Sequence, residues 1–476
     1  MKDSKLVGIL RALSKTEMHR LGDMVVSPFF NRKEQVIRLY EHLAVCHPAF
    51  RDEQVDRHVV FGKVFPGEVF DEQKLRYPVS DLVKIAEAFL VLNESEMDGF
   101  HNKHLLAEAF RKRGLDKHCA QLIESTSAEI DSQPFEDVTY FLDRFHNEID
   151  RYNYVSAKRN IAVKENLDKL LHSLDTFYIV SKLKYSSEVI NHMNVWAGDF
   201  QPLLLDEILN HLKTNPQQSP AVLIYYQILM TLTDPDNTAW YFNLKSLLTE
   251  HSARFSRAEL NDMYIFARNY CAKRINRGDL SYLKEVLDLY KALLRDGIIF
   301  QESRLSQWDY KNIVSVALRL EDFEWTEKFI HEYKPKLRAE HRDNAYTYNM
   351  ALLHYHLGRY GKTMELLRDV EFTDVYYHLD SKSLLMKTYY ETDAVRPLLS
   401  LIDAFYVYLR RNRLISAYQK EGYSNFLKFF KKLMKVRVMD RETAAKLGNE
   451  IEETKSVANL SWLLKKVGEV GVRKAV

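Results

Sequence analysis

Ala345-Tyr-Thr-Tyr-Asn-Met-Ala-Leu-Leu-His-Tyr-His-Leu-Gly-Arg-Tyr-Gly-Lys-Thr-Met-Glu-Leu-Leu-Arg-Asp-Val370 reads as two short amphipathic helices joined at a tight corner, Gly358-Arg359-Tyr360. A helix–corner–helix unit of this length cannot bury its own apolar face and has to stack on neighbours of the same kind. The corner returns along the chain. Gly198-Asp199-Phe200, Gly278-Asp279-Leu280, Glu321-Asp322-Phe323 and Asp393-Ala394-Val395 each set a short acidic or glycine turn before an apolar or aromatic residue. From Gly278 onward the corners lie 43, 37 and 35 residues apart. The 80 residues between 198 and 278 leave room for two units, with Asp234-Pro-Asp-Asn237 as the middle corner. This pattern predicts an all-α chain built of helix pairs.

Composition agrees with helices. The 476 residues include only 15 Gly and 11 Pro, against average usages of roughly 7% and 5%. Sheets need turns made from those residues, whereas long helices need few. Aromatic residues make up 12% of the chain and recur at helical spacing, which predicts packing between helices. Hydrophobic residues at 46% and charged residues at 28% are ordinary for a folded chain, and the length exceeds one compact core. The net charge of +2 argues neither for nor against a polyanionic partner. Cys46, Cys119 and Cys271 lie far apart without a CxxC pair, which suits a reducing compartment and offers no disulfide framework. The apolar run after Met1 is cut by Arg11, and no later stretch approaches about 18 uncharged apolar residues. The expectation is a soluble, cytoplasmic protein with no membrane span.

Three parts are expected. Residues 1–155 read as a helical N-terminal domain without repeats. Ser14-Lys-Thr-Glu17 has the form of a capping box, and its helix should stop before Pro28. Asn31 reads as the next cap, ahead of a stripe of Val36, Ile37, Tyr40, Leu43 and Ala44. Phe65-Pro66-Gly67 is a break, followed by helices near 72–92 and 96–113, the second closed by Gly114, and by one through 135–145. Residues 156–410 carry the repeats. Residues 411–476 read as basic capping helices: from Arg410 to the end there are 16 Lys or Arg against 7 Asp or Glu. There, 425–435 forms an amphipathic helix with Phe426, Phe429, Phe430, Leu433 and Met434 inward. Asp440 and either Thr454 or Ser456 are start signals for two closing helices, the last carrying Leu460, Trp462, Leu463 and Leu464.

The unit at 345–370 resembles a tetratricopeptide repeat, whose period is about 34 residues. Met350 and Ala351 stand at the Leu-Gly/Ala pair of the first helix, Gly358 and Tyr360 at the corner, and Leu367 at the bulky position of the second helix. Thr363 replaces the small Ala, His354 replaces a Tyr, and no Pro closes the unit. The units at 307–333 and 380–405 match less closely, with Thr326 and Leu398 at the small position. The resemblance covers roughly 177–410 and implies a TPR-like α-solenoid that binds a peptide or protein on its concave face. Separately, Ser27-Pro-Phe-Phe-Asn31 resembles a segment of Bacteroidetes-type bacterial proteins, with no activity attached.

The candidate partner-binding residues are those that the first helices of the units would present: Arg268, Tyr310, Asn312, Tyr346, Asn349 and Tyr389. Asn and Tyr would hydrogen-bond an extended chain, and Arg would pair with carboxylates. The alternative is a nucleic-acid-associated factor using Lys428, Lys431, Lys432, Lys435 and Arg437, a positive stripe of the kind that contacts phosphates. The aromatics beside that stripe are spaced to face the core and not to stack on bases. His101 and His104, at i and i+3, share a helix face but have no third ligand at a matching interval. His354 and His356 point to different sides of their helix, His354 inward and His356 outward. Phosphate loops, zinc-protease and serine-nucleophile motifs are absent. The expectation is a non-enzymatic protein without metal or cofactor.

Overall fold

Ser14 accepts a hydrogen bond from the Glu17 amide at 3.2 Å while its own amide donates to Glu17 Oε2 at 2.7 Å, so the first capping box forms as read. The structure, a computed structural model, describes residues 1–97, 99–157, 163–193, 202–215, 219–368, 375–436 and 441–473. Among the described residues the fold is all-α, with 23 α-helices and two isolated bridges, Gln301 with Arg304 and Leu305 with Leu337. Contacts group the chain into two compact units, Met1–Val222 and Leu223–Val476. The three-part division at 155 and 410 concerns repeat boundaries, which contact grouping does not address.

The first unit holds α1 (Lys5–Ala12), α2 (Lys15–Val26), α3 (Glu34–Cys46), α4 (Arg57–Val64), α5 (Glu72–Met97), α6 (Gly99–Lys112), α7 (Asp116–Asp131), α8 (Val138–Ala157), α9 (Val163–Met193) and α10 (Leu205–Thr214). α5 packs on each of α1 to α4, and their shared core includes Leu6, Leu10, Leu21, Leu39, Leu43, Phe61 and Leu82. Each fully buried side chain of that kind contributes about 1.5–3 kcal/mol. The expected cap at Asn31 is corrected. α3 starts after Lys33 without a side-chain cap. Asn31 is instead buried, donating to the Val25 carbonyl at 2.9 Å and accepting from the Lys33 amide at 2.9 Å, so it pins the α2–α3 turn.

The chain enters the second unit within α11 (Pro220–Thr233) and continues with α12 (Ala239–Glu250), α13 (Arg257–Asn276), α14 (Tyr282–Arg295), α15 (Gln307–Arg319), α16 (Phe323–Tyr333), α17 (Ala339–His356), α18 (Tyr360–Arg368), α19 (Val375–Glu391) and α20 (Val395–Arg411). It closes with α21 (Ala417–Val436), α22 (Arg441–Glu453) and α23 (Leu460–Arg473). The corners between α13 and α14, α15 and α16, α17 and α18, and α19 and α20 are alike. Gly278, Glu321, Gly358 and Asp393 all take positive φ, at 96°, 60°, 71° and 55°. The next residue's amide then reaches back five positions: Asp279 to Arg274, Asp322 to Ala317, Arg359 to His354, and Ala394 to Tyr389. This bond satisfies a carbonyl that the helix end would leave open.

Within this unit α15 packs on α16 and α17, α17 on α18 and α19, and α19 on α20. The small-residue positions of the second helices are buried, and threonine serves there because its hydroxyl finds a carbonyl: Thr326 donates to Asp322 O at 2.6 Å, Thr363 to Ala351 O at 3.3 Å. Phe426, Phe429, Phe430 and Leu433 of α21 fill a core with α19, α20, α22 and α23. Neither Thr454 nor Ser456 begins the last helix. Thr454 back-bonds to Glu450 O at the end of α22, Ser456 is buried, and α23 starts after Asn459, whose φ is 56°. The corner Gly198-Asp199-Phe200, Asp440 and Arg437 lie outside the described residues.

Candidate functional site

The first helices of the pairs bring two of the expected residues together around Tyr290. Arg268 on α13 donates to Asp309 Oδ1 of α15 at 2.7 Å, and its guanidinium lies 5.1 Å from the Tyr290 ring centre. Asn312, one turn beyond Asp309 and exposed, hydrogen-bonds the Tyr290 side chain. Burial pushes the Tyr290 hydroxyl above its ordinary range, with Arg268 opposing. Arg268 itself is 8% exposed, so it serves as a tie between α13 and α15 and not as an open carboxylate receptor.

Two other expectations are corrected. Tyr310 is fully buried, and its hydroxyl donates to Ile330 O at 2.6 Å across the α15–α16 pair. Asn349 is fully buried too, donating to Ala345 O at 2.7 Å. Both lie on the inward side of their helices and cannot reach a partner. Tyr346 is half-buried beside His331, with Lys334 Nζ 4.2 Å from its ring centre. Tyr389 is half-buried against the α19–α23 core. Asn312 is the member of the set that stands exposed.

The structure assembles a polar row that the sequence did not disclose. Asp380 on α19 accepts from Lys311 Nζ of α15 and, at 3.1 Å, from the Tyr423 hydroxyl of α21. Lys311 lies over the rings of Trp308 and Tyr377, at 5.2 and 5.6 Å. Two turns on, Lys387 donates to Asn459 Oδ1 beside Trp462, and burial pulls its amine down to about 8. Trp462 Nε1 donates to the Tyr355 hydroxyl at 2.8 Å, and Lys466 pairs with Glu391 at 2.8 Å. These hydrogen-bonded partners are 43 to 107 residues apart in the chain, so no local spacing announces them.

The basic stripe on α21 is largely occupied. Lys428 and Lys432 share Glu450, at 3.3 and 2.5 Å, and Lys431 pairs with Asp403 at 2.8 Å. The two lysines hold the Glu450 carboxyl below its usual range. Lys435 is exposed.

In the first unit, α6, α7 and α8 enclose a water-sized space of about 10 Å³ lined by His104, Thr126, Asp143, His146, Asn147 and Asp150. His104 Nδ1 lies 2.8 Å from Asp150 Oδ2, and its ring stacks on His146 at 5.1 Å. Burial lowers the basicity of His146, with His104 and His101 adding repulsion, and burial raises the Asp150 carboxyl against the pull of His104. The histidine pair read from the sequence is thus split: His104 belongs to an aspartate–histidine couple, a link across 46 residues. Among the described residues no group of three His, Cys, Asp or Glu is placed to hold a metal ion. All three cysteines are buried, and burial pushes the Cys271 thiol up to about 12, far from the thiolate form at neutral pH. Among the described residues, no helix is long and apolar enough to cross a membrane. Compared with protein-family models, curated proteins and solved structures, the chain matches none of them.

Proposed function

We propose that this chain is a non-enzymatic, cytoplasmic scaffold or adaptor that binds a peptide or protein on a row of first helices in a TPR-like array. The observation that supports the reading is the recurrence of one corner geometry at Gly278, Glu321, Gly358 and Asp393, together with the packing of α15 on α17 and α17 on α19. Units joined by the same turn and stacked first helix on first helix offer an extended binding face. Asn312, Tyr346 and Tyr389 are the expected contacts on it that retain exposed area. The nucleic-acid alternative is less well supported, because Lys428, Lys431 and Lys432 already have carboxylate partners.

Selection of peptides displayed against the full chain tests this. The expected result is convergence on a shared sequence whose affinity falls about tenfold or more on Asn312→Arg or Tyr346→Ala. A selection that never converges, or binders indifferent to both substitutions, would sink the proposal.

A further inference from the structure

The corner where α20 turns into α21 differs from the other corners of the second unit. Arg410, Arg411 and Arg413 are all exposed, and none makes an ion pair among the described residues. Around them stand Tyr406 and Val407 on the last turns of α20, Leu414 in the loop and Tyr418 in the first turn of α21, exposed by 49%, 44%, 78% and 71%. Large apolar side chains gathered at one corner and rimmed by unpaired charge mark a surface that something covers.

The corner is built and held in place. Asn412 donates from its side chain to the Tyr408 hydroxyl at 2.9 Å and accepts from the Leu414 amide at 2.8 Å. Ile415, next in line, is buried in the α19–α23 core. Ser416 then caps α21, accepting from the Gln419 amide at 3.3 Å. Leu414 is therefore fixed outward between two anchored neighbours. An ordinary account covers part of the charge: Arg410 and Arg411 lie in the last turn of α20, where cations complement the helix carbonyls. It covers neither Arg413, beyond the helix end, nor the exposed Leu414 and Tyr418.

We infer that this corner is a docking surface for an acidic, amphipathic segment of a partner protein. Guanidinium groups pair with carboxylates in a planar, two-point geometry, and Tyr and Arg are the residues on which interface energy concentrates. Leu414 and Val407 meet the apolar side of such a segment. A nucleic acid is the less favoured occupant: Tyr406 and Tyr418 offer rings to stack on, but it would leave Leu414 and Val407 without an apolar partner, and the adjoining lysines are already bound to Glu450 and Asp403. The surface is separate from the face of first helices and does not depend on it.

The test uses the full chain and a displayed library of acidic amphipathic helical peptides, with the strongest binder then labelled for titration. Arg410→Glu with Arg413→Glu is expected to weaken that peptide about tenfold or more, and Leu414→Ser with Tyr418→Ser to do the same. All four positions are exposed, and unchanged helical circular dichroism confirms that the variants fold. Asn312→Arg should leave this peptide's affinity unchanged, which keeps the result distinct from that for the first-helix face. A library that yields no binder sensitive to either pair overturns the inference. So does a single-stranded oligonucleotide or a phosphatidylserine vesicle that binds, is lost on arginine reversal and persists with Leu414→Ser and Tyr418→Ser.

Discussion

At the scale of the residue, the corners show one backbone conformation reached by different side chains. Gly278 and Gly358 enter the left-handed region without steric cost, while Glu321 and Asp393 enter it with a Cβ. A left-handed L-residue costs roughly 1–2 kcal/mol, less for a short polar side chain such as Asp. Glycine would remove that cost but add about 0.5–1 kcal/mol of unfolded-state entropy. Glu321→Gly is therefore expected to raise stability by up to about 1 kcal/mol and Asp393→Gly by less, whereas Gly358→Ala should lower it by about 1 kcal/mol. Denaturant midpoints at unchanged slope measure all three, and a destabilised Glu321→Gly would contradict the strain argument. The glycine corners could be read directly from the sequence. Glu321 could be found only through its register with them. The tyrosines were not sorted by residue type: Tyr310 stands 11 residues before Glu321 and Tyr346 stands 12 before Gly358, one register position apart and so about 100° around the helix, and one is core while the other is half-buried.

At the scale of the element, α23 shows how a closing helix is held. Trp462 stacks on Phe430 at 5.1 Å, meets Tyr390 edge-on at 5.4 Å and donates to Tyr355, so one side chain touches α17, α19 and α21. Lys466 adds its pair with Glu391, both side chains nearly buried. Trp462→Ala removes a half-buried ring, two aromatic contacts and a hydrogen bond, a loss of about 2–4 kcal/mol. Trp462→Phe should cost about half as much, since it keeps a ring and loses the donor. Amide hydrogen exchange should speed up in α23 of the alanine variant and remain unchanged in α1–α5. Uniform acceleration across both units would show that the tryptophan does not act as a local tie. The amphipathic pattern of α21 and the apolar residues of α23 were legible because helical periodicity is local. Their mutual docking was not, because it depends on pairs such as Tyr355 with Trp462 that only the folded chain brings within reach. The same limit hid Asp150 from His104 and Asp380 from Lys311.

At the scale of the whole molecule, helical class was readable because scarce glycine and proline rule out many turns, and the division into two contact units was not. The contact boundary at Val222 falls inside α11, two residues after the polar stretch Asn215-Pro-Gln-Gln-Ser-Pro220, a loop signal that by itself marks a turn between helices and not a boundary between units. A fragment cut at that boundary would begin inside the first turn of α11 and lose Pro220, which is suited to the first helical position because its missing amide would be unpaired there anyway. Beginning at Ser219 keeps the helix whole. Residues 219–476 carry the α19–α23 core and all four alike corners, and they are numerous enough to bury a core of their own. That fragment is expected to give a helical far-ultraviolet spectrum and one cooperative thermal transition. A fragment starting at Leu223 should melt about 2–4 °C lower, the shift that about 1 kcal/mol produces at this size. Strong dye binding with a broad, non-cooperative melt of 219–476 would show that the second unit depends on the first for its packing.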